Sequence, residues 1–159
     1  MRRLFKWAID SEKSYKLDII REVPLFNGLN NNLLRKLLTD LVEKKYNAGD
    51  IIFSEGDDGK ALYIVMDGSV KIAKKIDSGE NTLAVLGPGS YFGELALINQ
   101  SPRFATAVAE KDSNLLIMYK SYFDDLIKGN SAISSRILLN LVRSLSNYIC
   151  RNQTIETDN

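Results

Sequence analysis

Residues 87–108 read GPGSYFGELALINQSPRFATAV, and the rest of the chain is organised around this stretch. Glycines at 87, 89 and 93 flank Tyr91-Phe92. Glu94 then opens an apolar run, Leu95-Ala96-Leu97-Ile98, and Pro102-Arg103 follows. A glycine turn feeding a short helical turn presents backbone N–H groups. With a guanidinium fork a few residues later, it makes a site for a phosphate-like anion. Glu94 would be repelled by that phosphate, so it is expected to accept hydrogen bonds from neutral hydroxyls. A ligand with a phosphate at one end and a sugar hydroxyl close by satisfies both residues. Ser101-Pro102 stiffens the approach to Arg103 and fixes where its guanidinium points. Taken singly, each feature has a plainer reading. A Glu and an Arg nine residues apart often form a surface ion pair of little worth, and the glycines can be mere turns.

Upstream, eight of the ten glycines fall between Gly49 and Gly93, where they punctuate short β-type runs. These runs are Ile51–Phe53, Leu62–Met66, Ser69–Lys74 and Thr82–Leu86. In Val70-Lys71-Ile72 and Leu83-Ala84-Val85 the larger apolar residues alternate with smaller or polar ones, as half-buried strands require. Asp67-Gly68 is a two-residue hairpin signal, and Asp77-Ser78-Gly79-Glu80 marks a second hairpin. Downstream, Phe104–Ala109 and Asn114–Tyr119 read as strands. Seven or eight short antiparallel strands with regular turns predict a small barrel or jelly roll.

Helices flank these strands, so the fold class is α+β: an antiparallel jelly-roll barrel with N-terminal helices and a C-terminal hinge and lid helix pair. Residues 1–22 form an N-terminal extension with a weak helical stripe at Leu17, Ile19 and Ile20. Phe5 and Trp7 need apolar cover there. Val23-Pro24 breaks the pattern. Asn30 or Asn31 caps a helix whose stripe is Leu33, Leu34, Leu37, Leu38, Leu41 and Val42, ending before Asn47. Tyr122, Phe123, Leu126 and Ile127 share a face until Lys128-Gly129-Asn130. From a cap at Ser131, a longer helix carries Ile133, Ile137, Leu138, Leu141, Val142, Leu145, Tyr148 and Ile149. The domain proper is residues 23–150, and 151–159 form a polar tail expected to fray.

The 159 residues are 45% hydrophobic and 26% charged, with a net charge of +1. That suits one soluble domain and argues against a face for nucleic acid backbones. No run approaches the ~20 apolar residues of a membrane span. Met1-Arg2-Arg3 starts like a secretion signal, but Lys6 and Asp10 interrupt the apolar region that should follow. The single cysteine, Cys150, cannot form an internal disulfide. The chain is therefore expected in the cytoplasm. It contains no histidine, which removes the usual general base and the commonest metal ligand. Neither catalysis nor a metal or cofactor is expected.

Phe92-Gly93-Glu94-Leu95-Ala96-Leu97, then Pro102-Arg103 and Ala105-Thr106, resembles the phosphate-binding cassette of cyclic nucleotide-binding domains. That family includes the regulatory subunits of cyclic AMP-dependent protein kinase, the bacterial catabolite activator and cyclic nucleotide-gated channels. The likeness extends to Ala48-Gly49-Asp50-Ile51-Ile52-Phe53 with Glu55-Gly56-Asp57, and to Leu62-Tyr63-Ile64-Val65 with Gly68-Ser69-Val70. It also takes in Leu86-Gly87-Pro88-Gly89 and Pro24-Leu25-Phe26, so it runs from roughly residue 23 to 149. The resemblance implies that Arg103 holds the exocyclic phosphate oxygens and Glu94 the ribose 2′-hydroxyl. It also implies that backbone N–H groups of Gly93, Leu95, Ala96 and Ala105 cradle ribose and phosphate. Counting from Arg103 without gaps brings Asn147, Tyr148 and Ile149 to the purine, with Tyr148 stacking on it or hydrogen-bonding it. A packing role for Tyr148 is equally open. The family's small residue after the arginine is replaced by Phe104. It brings no hydroxyl for a guanine base and places a bulky ring beside the phosphate.

The resemblance implies a ligand-gated switch: a cyclic nucleotide, cyclic AMP before cyclic GMP, docks on the cassette, and the segment Tyr122–Ile149 moves to close the site. Partners are the small molecule, an unidentified protein effector, and a second copy of the chain through a seam of Leu138, Leu141 and Leu145. The alternatives are a DNA-binding regulator, a degenerate interaction module that holds no nucleotide, and a cupin-type metal enzyme. About ten residues follow Ile149, which disfavours a helix-turn-helix. Glu94 and Arg103 together speak against the degenerate module, and the missing histidines against the cupin.

Overall fold

The computed structural model describes residues 2–98, 101–129 and 131–156. The side chains of Phe5, Trp7, Ser131 and Ile149 lie outside the described residues, as do residues 157–159 of the expected tail. The chain runs α1 (Arg2–Glu22), a 3-10 turn (Pro24–Phe26), α2 (Asn31–Asp40), β1 (Val42–Tyr46), β2 (Ile51–Phe53) and β3 (Ala61–Asp67). It continues with β4 (Val70–Ile76), β5 (Gly79–Leu86), β6 (Tyr91–Phe92), α3 (Leu95–Ile98), β7 (Thr106–Ala109), β8 (Ser113–Tyr119), α4 (Lys120–Gly129) and α5 (Ser131–Glu156). The strands form two antiparallel four-stranded sheets, ordered β1-β8-β3-β6 and β2-β7-β4-β5. This is the expected jelly-roll arrangement, as two facing sheets. Among the described residues no helix is long and apolar enough to cross a membrane.

Strand β3 explains how the layers are joined. Its near-continuous apolar run, ALYIVMD, is buried on both faces, as a strand between two layers must be. Leu62, Ile64 and Met66 pack with Leu116 and Met118 of β8 against the helices, in a cluster with Ile20, Phe26, Leu34, Phe123, Ile137 and Leu141. Tyr63 and Val65 point the other way. There, Val65, Tyr46, Val70, Phe92, Ala107, Ala109 and Leu115 fill the space between the sheets. The first sheet therefore divides a helix-side core from a barrel interior, and the cassette sits at one end of that interior.

The helices are pinned by polar contacts as well as by burial. Asn30 caps α2, its side chain accepting the Leu33 N–H at 3.0 Å, which is worth about 1 kcal/mol. Tyr15 donates to Met66 O at 3.1 Å, with Leu17 and Ile20 buried alongside. Thus α1 packs on the domain. Asn140 of α5, itself buried, donates to Leu25 O at 3.1 Å and to Asn27 O at 2.9 Å.

Three sequence expectations give way. The periodicity predicts a helix through Leu41 and Val42, yet α2 stops at Asp40 and residues 42–46 form β1, paired with Ile117 to Ser113 of β8. A non-local ladder outweighs local periodicity there. Asp67-Gly68 does not close a hairpin, because β3 and β4 belong to different sheets. Gly68, at φ 85°, instead passes against Asp112 and Ser113. Ser69 N–H donates to Ser113 Oγ at 3.1 Å, and Glu110 N–H donates to Ser69 O at 2.8 Å. The turn is therefore clamped to the β7–β8 connection. Finally, Leu141 is 1% exposed in the helix-side core, so it cannot belong to a seam between copies. The outward apolar residues of α5 are Leu138, Leu139 and Val142. The Asp77-Ser78 turn behaves as read, joining β4 to β5 at Ile76↔Gly79.

Candidate functional site

The cassette begins where β6 lies on β3, with Phe92 opposite Tyr63 and Tyr91 opposite Ile64. Gly93 follows at φ +78°, a left-handed conformation that glycine adopts without strain. That turn starts the single-turn helix α3. Ala96 N–H donates to Gly93 O at 3.3 Å, and Leu97 N–H donates to Glu94 O at 2.9 Å. Ala96 and Leu97 are buried, while Leu95 is exposed. At the end of α3, Lys120 Nζ donates to Leu97 O at 3.1 Å and pairs with Asp124 Oδ1 at 2.8 Å.

Arg103 returns to the same place from the far side. Its backbone is held by the loop after β2: Arg103 N–H donates to Asp57 O at 2.8 Å, and Gly56 N–H donates to Arg103 O at 2.9 Å. Pro102 bridges to Asp58 beside them. With the backbone fixed, the side chain enters the barrel end and is only 7% exposed. Nη1 donates to Gly93 O at 3.3 Å and Nη2 to Ala61 O at 2.9 Å. The guanidinium lies 4.0 Å from the Phe53 ring centroid and 5.6 Å from that of Tyr63. Phe53, Tyr63 and Phe92 pack on one another, with Tyr63 and Phe92 stacked at 5.2 Å. The cation is thus held by aromatic faces and two neutral carbonyls. Among the described residues no carboxylate forms an ion pair with it, and its Nε is buried without a partner. Burial lowers its pKa below the ordinary arginine value, and the Tyr63 hydroxyl, Asp57 and Glu94 oppose that shift.

Glu94 is half-buried. Burial pushes its carboxyl above the usual carboxylate range, while its own backbone amide and Arg103 pull it back. The two residues feel each other's charge without forming a salt bridge, so the surface ion-pair reading does not hold. Folding strengthens the Glu94 proton, so just above the ordinary carboxylate pKa the native state binds more protons than the unfolded chain. Stability therefore falls as pH rises through that window. Glu94→Gln, which carries no titrating charge, should be at least as stable as the parent near neutral pH. Its advantage should vanish in acid below the ordinary carboxylate range, as read by thermal melts across pH.

The structure gathers Gly93, Glu94, Leu95, Ala96, Arg103 and Ala105 at one barrel end. Phe104 borders the group; it is 56% exposed, and its ring carries the Lys74 ammonium at 3.8 Å from its centroid. Arg103's own ring contacts are Phe53 and Tyr63, so the ring of Phe104 is not packed on its guanidinium. Tyr148 is 59% exposed on α5, and no described contact joins it to the cassette. One turn earlier on that helix, Ser144 Oγ accepts a hydrogen bond from Tyr91 OH at 2.6 Å. Tyr91 is close enough to Glu94 to feel its charge. Sequence reasoning missed Phe53, Tyr63, Ala61, Lys74 and the Tyr91–Ser144 bond. A groove of about 610 Å3 between α1, α2 and β1 is a poorer candidate. Of the cations in its wall, Lys13, Lys16 and Arg35, Lys16 is paired with Glu12 and Glu43.

Residues 43–130 match the family model described as cyclic nucleotide-binding domain. The chain is 37% identical over 123 residues to the cyclic AMP receptor protein of Thermus thermophilus, covering 77% of this chain and 57% of that protein. It therefore spans somewhat over half of that relative's length. Among solved structures, it is similar to the N-terminal domain of a transcriptional regulator from Streptomyces coelicolor, with a TM-score of 0.76 and 32% identity. That match covers 82% of this chain and 94% of the other. It is also similar to the regulatory domain of Toxoplasma gondii PKA, solved with cAMP, with a TM-score of 0.67 and 37% identity. There, 72% of this chain and 44% of the other are covered.

Proposed function

The chain belongs to the cyclic nucleotide-binding domain family, and from that premise we propose that it is a regulatory sensor whose ligand is a cyclic nucleotide, cyclic AMP first. One observation carries the reading. Arg103 is a buried guanidinium whose hydrogen-bond partners are neutral carbonyls, with an unpartnered Nε and, among the described residues, no carboxylate in an ion pair with it. A desolvated cation is costly unless an anion joins it, and a cyclic phosphate is such an anion. In this reading Arg103 takes the exocyclic phosphate oxygens and Glu94 accepts the ribose 2′-hydroxyl. Backbone N–H groups of Gly93, Leu95, Ala96 and Ala105 close around both. Cyclic AMP is preferred because the similar Thermus protein is a cyclic AMP receptor protein and the similar Toxoplasma domain was solved with cAMP.

The signal is proposed to leave through α4 and α5. Two contacts join them to the cassette: Tyr91 beside Glu94 bonds Ser144 of α5, and Lys120 of α4 bonds the last turn of α3. A ligand moves those helices only by binding their two positions unequally. Receivers are a protein effector or a second copy of the chain on Leu138, Leu139 and Val142. Two chains per particle in light scattering would support the second copy, and a monomer at high concentration would remove it. A cytoplasmic location belongs to the same reading.

Isothermal titration of the folded chain with cyclic AMP and cyclic GMP tests the whole. Saturable one-site heat with either nucleotide is expected. Silence with both would remove the sensing role and leave an interaction module.

A further inference from the structure

Strand register determines where Lys74 stands. In the β4–β7 ladder Val70 pairs with Ala109 and Ile72 with Ala107. Both alanines are fully buried, and Val70 and Ile72 pack with them in the barrel interior. Side chains alternate along a strand, so Lys74 is the next inward position, at the end of the barrel where Ala105 and Arg103 lie. Lys71, on the opposite face, is paired with Glu80. Lys74 is half-buried, and among the described residues no carboxylate forms an ion pair with it. Its ammonium rests on Phe104, the residue directly after the phosphate-site arginine.

We propose that Lys74 is a specificity-determining residue that reads the purine at its six position and favours an oxo group over an amino group. This rests on the cyclic nucleotide reading above. An ammonium offers three donors and no acceptor. Guanine presents O6 and N7 as adjacent acceptors, whereas adenine places an amino donor beside N7. A lysine reaching the base therefore meets two acceptors in guanine, and one acceptor with an opposed donor in adenine. Phe104 supplies a π-face on which any base can stack, and stacking is tolerant of base identity. It brings no hydroxyl, so discrimination falls to the lysine parked on its ring. Lys74 would thus narrow the preference for cyclic AMP proposed above by favouring the guanine ring.

The test is the ratio of the two dissociation constants, measured by titration calorimetry for the parent chain and for Lys74→Met, which keeps the apolar stem and removes the donors. The ratio should move toward cyclic AMP by roughly fivefold or more, the discrimination a base contact of this kind provides. Equal weakening for both nucleotides would overturn the proposal, since Lys74 would then contribute charge alone. An unchanged ratio would overturn it too. If Lys74→Met does not fold by circular dichroism, Lys74→Gln replaces it, with the same expectation. No binding of either nucleotide by the parent chain is a different failure: it removes the cyclic nucleotide reading itself, and this inference with it.

Discussion

Arg103→Ala is expected to weaken cyclic nucleotide binding by roughly tenfold to a hundredfold, the worth of a charge-assisted hydrogen-bonding pair. The loss falls on binding because, among the described residues, the guanidinium forms an ion pair with no carboxylate. For folding, two opposing effects partly offset each other. The variant removes a desolvated cation, and it also takes one donor from Gly93 O, one from Ala61 O and the cation from the face of Phe53. The variant should therefore still unfold cooperatively, which thermal melting checks alongside calorimetry. Arg103→Lys keeps the charge but loses the planar fork, so its affinity should lie between the two. Binding by Arg103→Ala within twofold of the parent would count against a phosphate at this position.

Gly93→Ala should damage both stability and binding, from one cause. Its φ of +78° costs an alanine about 1–2 kcal/mol. The added Cβ would stand 2.7 Å from Arg103 Nη1 and 3.2 Å from Ala61 O. Relief requires the guanidinium or the β3 edge to shift, adding about 1–3 kcal/mol. A total of ~2 kcal/mol or more lowers the melting temperature by roughly 4–8 °C in a chain of this size, and the displaced guanidinium weakens nucleotide binding in parallel. Gly49→Ala separates the two effects. Gly49 has φ +90° with nothing within 4 Å of a new Cβ, so it bears conformational strain alone and should melt lower with unchanged affinity.

Residues with local signals were legible in the sequence. Of the two caps the sequence offers, Asn30 and Asn31, Asn30 caps α2; Asp77-Ser78 turns β4 into β5, and Arg103 meets Gly93 across the ten positions that separate them. Misreadings came where partners distant in sequence decide. Val42 to Tyr46 looks like the tail of a helix until β8 pairs with it. Tyr91-Phe92 is too short to announce itself as a strand without β3. Asp67-Gly68 has hairpin chemistry, but its flanking strands belong to different sheets. The same limit hid the cage around Arg103, since Phe53, Tyr63 and Phe92 come from three strands that only the jelly roll brings together. Their period-two placement, with Phe53 and Phe92 ending short strands, was the available signal. The gap-free count carries Tyr148 to the purine, and its side chain stands exposed on α5.

The ammonium of Lys120 touches the last turn of the cassette helix and the first turn of α4 at once, and thermodynamics makes such a joint work in both directions. If nucleotide binding shifts Leu97 O and so changes how α4 is held, then anything that grips α4 changes nucleotide affinity by the same factor. A protein that docks on the C-terminal helices is therefore itself an effector of the site, and its own binding curve would reveal it by moving when nucleotide is added.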